Sequence, residues 1–239
     1  MSTDRRTFIR NSTLIAGAVA AGAAIPSASG AEPPSTGATV AAVYEVKPLP
    51  IDPAKVQGLS AKLLVSHHDN NYAGAVKRLN AISTQLASLD WATAPTFLIN
   101  GLKREELIAA NSMILHEHYF NALGGDGKIG DTLGRAIERD FGSIDRWRSE
   151  FTALGKAEGG GSGWVILTYS HHLKRLVNSW AADHTTTLAG GRPVLALDMY
   201  EHAYHIDYGA KAAGYVDAYM SGIKWDYAQG QFESSVRAG

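Results

Sequence analysis

Cysteine is absent from all 239 residues. That one absence excludes disulfides, thiolate zinc sites, iron–sulfur clusters and thiol nucleophiles. An excess of either charge is also lacking: 22 Lys and Arg stand against 23 Asp and Glu, a net −1 with histidine neutral. Without a cationic surplus to displace counterions from phosphates, no nucleic-acid partner is expected. No apolar run reaches the roughly 20 residues of a membrane helix, so no span is expected in the mature chain. Internal repeats are missing too. What is present is a chain 45% hydrophobic and 19% charged, a composition that excludes disorder and collagen-like repetition. It has enough residues to bury a core in one large domain or two small ones. With thiols gone, a transition metal has only imidazole, carboxylate and water. The imidazoles are His67, His68, His116, His118, His171, His172, His184, His202 and His205.

The first 31 residues read as an address. Arg5-Arg6 is followed by Phe8-Ile9, then by the small, apolar run Thr13–Ile25 and by Ala28-Ser29-Gly30-Ala31. Charged, apolar and small-residue regions in that order describe a signal peptide. The paired arginines and mild Ala/Gly hydrophobicity favour the twin-arginine route, hence a periplasmic or other extracytoplasmic location. Cleavage removes three cationic side chains and one anionic one, leaving a net −3. That route exports folded proteins and suits one that acquires a cofactor first.

Residues 32–55 form a leader rich in Pro, Ser, Thr and Gly, extended and irregular around Pro48, Pro50 and Pro53. A helical-hairpin domain is expected over 56–124. Its first helix spans Leu59–Leu86, with Leu63, Leu64, His67, Ala75, Leu79 and Ile82 on one broad face. Its second spans Lys103–Leu123, with Leu107, Asn111, Ile114, Leu115 and His118 in period. Thr93–Gly101, holding Pro95, reads as the loop between them. A mixed α/β domain follows over 125–239: short helices at Asp131–Asp140 and Ser143–Ala157, a hairpin of Trp164–Tyr169 and Leu173–Val177, a buried strand Pro193–Leu197, and helix again from Ala203. The class is α+β, a long antiparallel helical hairpin joined to a small three-stranded antiparallel sheet flanked by helices.

The densest chemistry lies in Asp198-Met199-Tyr200-Glu201-His202-Ala203-Tyr204-His205. Asp198 ends a buried strand and His202 follows four residues later, so a carboxylate and an imidazole converge where the backbone turns irregular. A hard oxygen beside a borderline nitrogen suits iron or manganese; a plain buried Asp–His hydrogen bond is the other reading of the pair alone.

Residues 198–204 resemble the Asp-x-Trp-Glu-His-Ala-Tyr signature of the iron/manganese superoxide dismutase family. The resemblance runs from Tyr44-Glu-Val-Lys-Pro-Leu-Pro50 to about Glu233. It takes in His67-His68 ahead of Val76-Lys-Arg-Leu-Asn80, His116-Glu-His-Tyr-Phe-Asn-Ala-Leu123, Phe141-Gly142-Ser143 and Gly161-Ser162-Gly163-Trp164. It implies one Fe or Mn ion per subunit, held by His67, His116, Asp198 and His202 with a solvent molecule as fifth ligand. It also implies superoxide as substrate and a homodimer or higher homo-oligomer, in which Glu201 bridges to the partner's ligand histidine. His184 resembles the histidine version of the residue that hydrogen-bonds the solvent ligand, which favours iron; a surface histidine in a Thr-rich loop is the plain alternative.

Departures from the family concern the access route. The gateway tyrosine falls at Ala75, leaving Tyr72 as the nearby phenol. The companion histidine is Asn71, its tyrosine across the dimer is His205, and the signature tryptophan is Tyr200. Two other classes stay open: a non-catalytic metal-binding descendant and a mononuclear iron enzyme that activates dioxygen. Trp164, Phe120, Tyr119 and Tyr200 are expected to wall the metal. His171 and His172 are expected at a solvated hairpin tip, and His68 and His118 in structural or surface roles.

Overall fold

The computed structural model describes residues 40–159 and 161–238. The signal peptide expected at 1–31 and the leader before Val40 lie outside them.

Helix α1 (Ala61–Ser66) starts where Ser60 turns its hydroxyl onto the Leu63 N–H at 3.1 Å, satisfying a donor that the first helical turn leaves free. Asp207 anchors that cap, accepting from the Ser60 N–H at 2.7 Å and its O–H at 2.6 Å. The rod continues as a π-helical stretch, His67–Tyr72, and then as α2 (Ala73–Ala87). The apolar period predicts a plain α-helix here. The wider turn buries His67, His68 and Tyr72 together, and such local widening recurs at functional positions. All six residues expected on the inner face, Leu63, Leu64, His67, Ala75, Leu79 and Ile82, are buried.

Helix α3 (Thr96–Asn121) begins seven residues before the expected start. Pro95 opens it: the proline carbonyl accepts from Leu98 at 3.0 Å and from Ile99 at 3.1 Å, and a proline loses nothing where the chain needs no N–H. The expected inner face of α3 is corrected as well. Leu107 and Ile114 are 46% and 42% exposed, whereas Leu102, Ala109, Ser112, Leu115, His116 and Tyr119 point inward. The small residue Ala109 lets α2 approach closely, and Leu79, Ile82, Leu86 and Leu102 close the seam around it.

Helices α4 (Asp131–Phe141) and α5 (Ile144–Glu158) follow, α5 capped by the Ser143 hydroxyl on Arg146 N–H. The sheet has order β2-β1-β3, all antiparallel: β1 Trp164–Ser170, β2 Arg175–Ala181, β3 Gly191–Asp198. Strand β2 begins later than its apolar residues suggest. Leu173 belongs to the turn, half exposed, with Lys174 at φ 53 and the Leu173 N–H on the Ser170 hydroxyl. At that tip His172 is exposed, but His171 is half-buried, edge-on to Tyr169 at 5.2 Å. Short helices α6 (His205–Tyr208), α7 (Ala212–Ser221) and α8 (Trp225–Arg237) complete the chain. Among the described residues no helix is long and apolar enough to cross a membrane.

Two contacts position the site. Helix α3 packs on β3, and Trp164 pairs with Asp198 in the β1–β3 register. The central strand β1 is buried along its length, so the end of β3 is fixed from both sides.

Candidate metal centre

His67 and Asp198, 131 residues apart in the chain, meet at 3.1 Å between Nε2 and Oδ2. The same carboxylate oxygen lies 3.2 Å from His202 Nε2 and 3.5 Å from His116 Nε2. One potential donor atom from each of the four residues falls within 4.8 Å of the others. Three of the four are buried and His202 is half-buried.

The donors are held by their own elements. The His116 Nδ1–H donates to the Ser112 carbonyl one turn back at 2.6 Å, which leaves Nε2 as a lone pair facing the cluster. That Nε2 is buried and has no protein hydrogen-bond partner. A desolvated lone pair aimed at a carboxylate is costly unless something else fills the space between them, so the donor set fits a cation. Asp198 is fixed by its second oxygen, which accepts from the Tyr200 N–H at 2.9 Å, and by its backbone carbonyl, which accepts from Tyr215 at 2.7 Å.

Electrostatics agree. Burial works against ionising Asp198, but the charges and hydrogen bonds of His202 and His67 outweigh it and hold the carboxyl well below the usual range. Burial pulls His67 down despite Asp198, and brings His116 to about 3. A charged carboxylate and neutral imidazoles are the forms that bind metal.

The surroundings are aromatic. Tyr119 and Phe120 lie 5.1 and 5.0 Å from the His67 ring, Trp164 lies 5.3 Å from His116, and Tyr200 stacks on His202 at 5.2 Å. These are the four walls expected from the sequence. His184 stands 6.1 Å from His116 and stacks on Tyr200 at 4.7 Å, with its Nδ1 accepting the Trp164 indole N–H at 3.0 Å. It is half-buried rather than a free surface side chain, and burial lowers its pKa.

The remaining expected residues lie farther out. Tyr72 is buried, but its hydroxyl donates to Glu117 at 3.1 Å and accepts from the Lys47 N–H at 3.1 Å. The phenol is thus committed to the leader and α3, not to the ligand cluster. Ala75, where the resemblance puts the gateway tyrosine, is buried. Asn71 is half-buried, and Glu201 and His205 are exposed on the segment that carries His202. His68 bonds Asp69 at 2.8 Å and the Lys47 carbonyl at 2.9 Å, and His118 pairs with the Tyr227 hydroxyl at 2.9 Å, both structural roles.

One residue escaped the sequence reading. Glu158 ends α5, is buried, and neither carboxylate oxygen has a hydrogen-bond partner among the described residues. Burial first, and then the charge of Asp198, push its carboxyl up to about 8. Its only sequence signal is a charged residue directly before a glycine run.

Comparison with known proteins agrees with this geometry. The family described as iron/manganese superoxide dismutases, C-terminal domain, matches residues 129–231. The Fe superoxide dismutase of Cupriavidus metallidurans is 67% identical over 195 residues, covering 82% of this chain and 99% of that protein. An Fe superoxide dismutase of Aquifex aeolicus is 33% identical over 205 residues, covering 82% and 95%. A Mn superoxide dismutase of Halobacterium salinarum is 34% identical over 198 residues, covering 81% and 96%.

Proposed function

This chain belongs to the iron/manganese superoxide dismutase family and is a metal-dependent superoxide dismutase, and from that premise we propose how its own residues serve the reaction. It converts superoxide into dioxygen and hydrogen peroxide. The ligands in this reading are His67, His116, Asp198 and His202. The observation that carries it is the convergence of their four donor atoms. An iron or manganese ion held there by His67, His116, Asp198 and His202 would supply the one-electron redox chemistry that the reaction needs.

The polypeptide does the rest. Asp198 contributes a full negative charge that favours the higher oxidation state. The Ser112 carbonyl holds His116 in the tautomer that presents Nε2. Trp164 occupies His184 Nδ1, so the neutral ring carries its proton on Nε2, the donor proposed to bond the solvent ligand. Tyr119, Phe120 and Trp164 exclude bulk water from the ligand imidazoles.

Iron is favoured over manganese, supported by His184 and by the iron relative's 67% identity against 34% for the manganese relative. A homodimer is proposed in which Glu201 accepts from the partner subunit's ligand histidine. Asn71 and His205 would meet across the same interface in place of a His–Tyr pair. The exposure of Glu201 and His205 beside half-buried His202 supports this. Residues 1–31 are proposed as a twin-arginine signal and the enzyme as periplasmic, on Arg5-Arg6 and the run after them.

The deciding experiment pairs metal analysis of the mature protein with a superoxide-consumption assay on each metal form. Asp198→Ala and His202→Ala should lose both metal and turnover. Folded variants that keep full metal would refute the ligand set. Glu201→Ala should weaken the dimer and loosen metal retention, and an unchanged dimer with unchanged metal removes that role. Fractionation of an Arg5→Lys, Arg6→Lys double variant tests export; continued appearance in the periplasm rejects the twin-arginine route.

A further inference from the structure

A connected set of tyrosines runs from the ligand cluster towards the surface, and dismutation makes no use of its continuity. The Tyr119 ring lies 5.1 Å from His67, and its hydroxyl is 3.3 Å from that of Tyr215. Tyr215 stacks on Tyr204 at 5.4 Å and meets Tyr208 edge-on at 6.2 Å. Tyr119, Tyr215 and Tyr204 are 0%, 0% and 2% exposed, whereas Tyr208 is half-buried with its O–H on the Gly58 carbonyl. The Tyr215 hydroxyl also holds the Asp198 carbonyl, at 2.7 Å, so the series is anchored directly to a ligand residue. Burial also keeps the Tyr119 and Tyr215 phenols fully protonated.

We propose that Tyr119, Tyr215 and Tyr208 form an electron-transfer path that drains oxidising equivalents from the metal centre to the protein surface. This is a protective activity separate from dismutation, and it rests on His67 being a ligand. The need arises from the product. Hydrogen peroxide that lingers at the reduced site accepts one electron, and its O–O bond breaks into hydroxide and a hydroxyl radical. Tyr119 gives that radical its phenolic hydrogen atom, making water and a phenoxyl radical. The hydrogen atom of Tyr215 then crosses the 3.3 Å gap and restores Tyr119. Tyr208 supplies Tyr215 with an electron through ring contact and releases its own proton to solvent; the Tyr215 oxygen regains a proton across the same contact from Tyr119, which takes one in turn from the water just formed at the site, leaving hydroxide. At the surface, a superoxide ion gives the Tyr208 radical an electron and leaves as dioxygen, and a proton from water completes the phenol. Each ring is returned unchanged, and the ligand histidines are spared.

The test uses iron-loaded enzyme mixed with hydrogen peroxide, frozen, and read by electron paramagnetic resonance, with oxidised residues mapped by mass spectrometry. Wild type, Tyr119→Phe and Tyr208→Phe are compared, and metal content is measured first, so that a mistaken ligand assignment shows as missing iron. The expected wild-type result is a tyrosyl radical signal with oxidation reaching Tyr208. Tyr208→Phe should trap the radical on the interior tyrosines. Tyr119→Phe should lose the signal, move damage to His67 and Trp164, and shorten the half-life in peroxide several-fold. Fully metallated wild type without a tyrosyl signal overturns the proposal. So do variants that match it in signal, damage map and half-life.

Discussion

The carboxyl of Glu158 rests against the Cα of Gly163. A Cβ built on that glycine would sit 2.7 Å from Oε1 and 2.9 Å from Oε2. The contact joins the end of α5 to the residue before Trp164, and Gly163 in turn accepts the Met199 N–H at 2.9 Å, beside Asp198. An acid is therefore wedged behind the strand ends that carry the site.

That wedge sets a pH dependence. Burial pushes the Glu158 carboxyl up to about 8 in the folded protein, against about 4.3 when unfolded. Between those values the unfolded chain binds fewer protons than the native one, so stability falls as pH rises through this window. Denaturant titrations from pH 5 to pH 9 should show wild type losing stability relative to Glu158→Gln as the pH rises. Parallel curves for the two proteins would remove the buried, protonated acid from the account.

Trp164 orients His184 through a single indole N–H. Trp164→Phe keeps the wall but removes that bond, freeing the imidazole to change tautomer. Metal content should stay at the wild-type level while turnover drops by roughly tenfold or more. Unchanged turnover, or loss of the metal itself, contradicts the assigned role.

The leader is tied to α2 by one side chain. Asn80 accepts the Tyr44 N–H and donates to the Tyr44 carbonyl, both at 2.8 Å. These bonds are exposed, so Asn80→Ala should cost only about 1 kcal/mol, yet make the segment before Lys47 markedly easier to proteolyse. Equal cleavage rates would show that Lys47 with Tyr72 and Glu117 holds the leader alone.

Two glycines should respond oppositely to alanine. At Gly125 a Cβ would lie 2.2 Å from the Ile223 carbonyl oxygen, a backbone atom that cannot yield, so Gly125→Ala should cost about 3 kcal/mol or prevent folding. Gly74, inside α2, has nothing within 4 Å of that position, and Gly74→Ala should stabilise by about 0.5–1 kcal/mol. Thermal melts of the two variants decide both.

Local order and the residues of the cluster were legible in the sequence because both are written in short patterns. Apolar spacing marked the buried face of α1 and α2, an apolar run marked β1, and the family resemblance of the segments around 67, 116 and 198–202 implied the four residues that converge. Pattern fails where a feature depends on what arrives from elsewhere. Leu107 and Ile114 are as apolar as Leu115, and they face outward because α2 and β3 meet the opposite side of α3. Pro95 looks like a breaker until its carbonyl is seen opening a helix. The π-helical stretch at 67–72 leaves no trace in periodicity.

Composition and short-range spacing by themselves determined an α+β chain without thiols whose only route to a transition metal is imidazole and carboxylate. Tertiary packing alone decided that Tyr72 turns to Glu117, that Glu158 is sealed behind Gly163 and that Tyr119, Tyr215 and Tyr208 touch in series. The reason is physical: spacing encodes which face of an element is apolar, whereas desolvation and contact depend on neighbours remote in the chain. Only the closed fold brings those neighbours together.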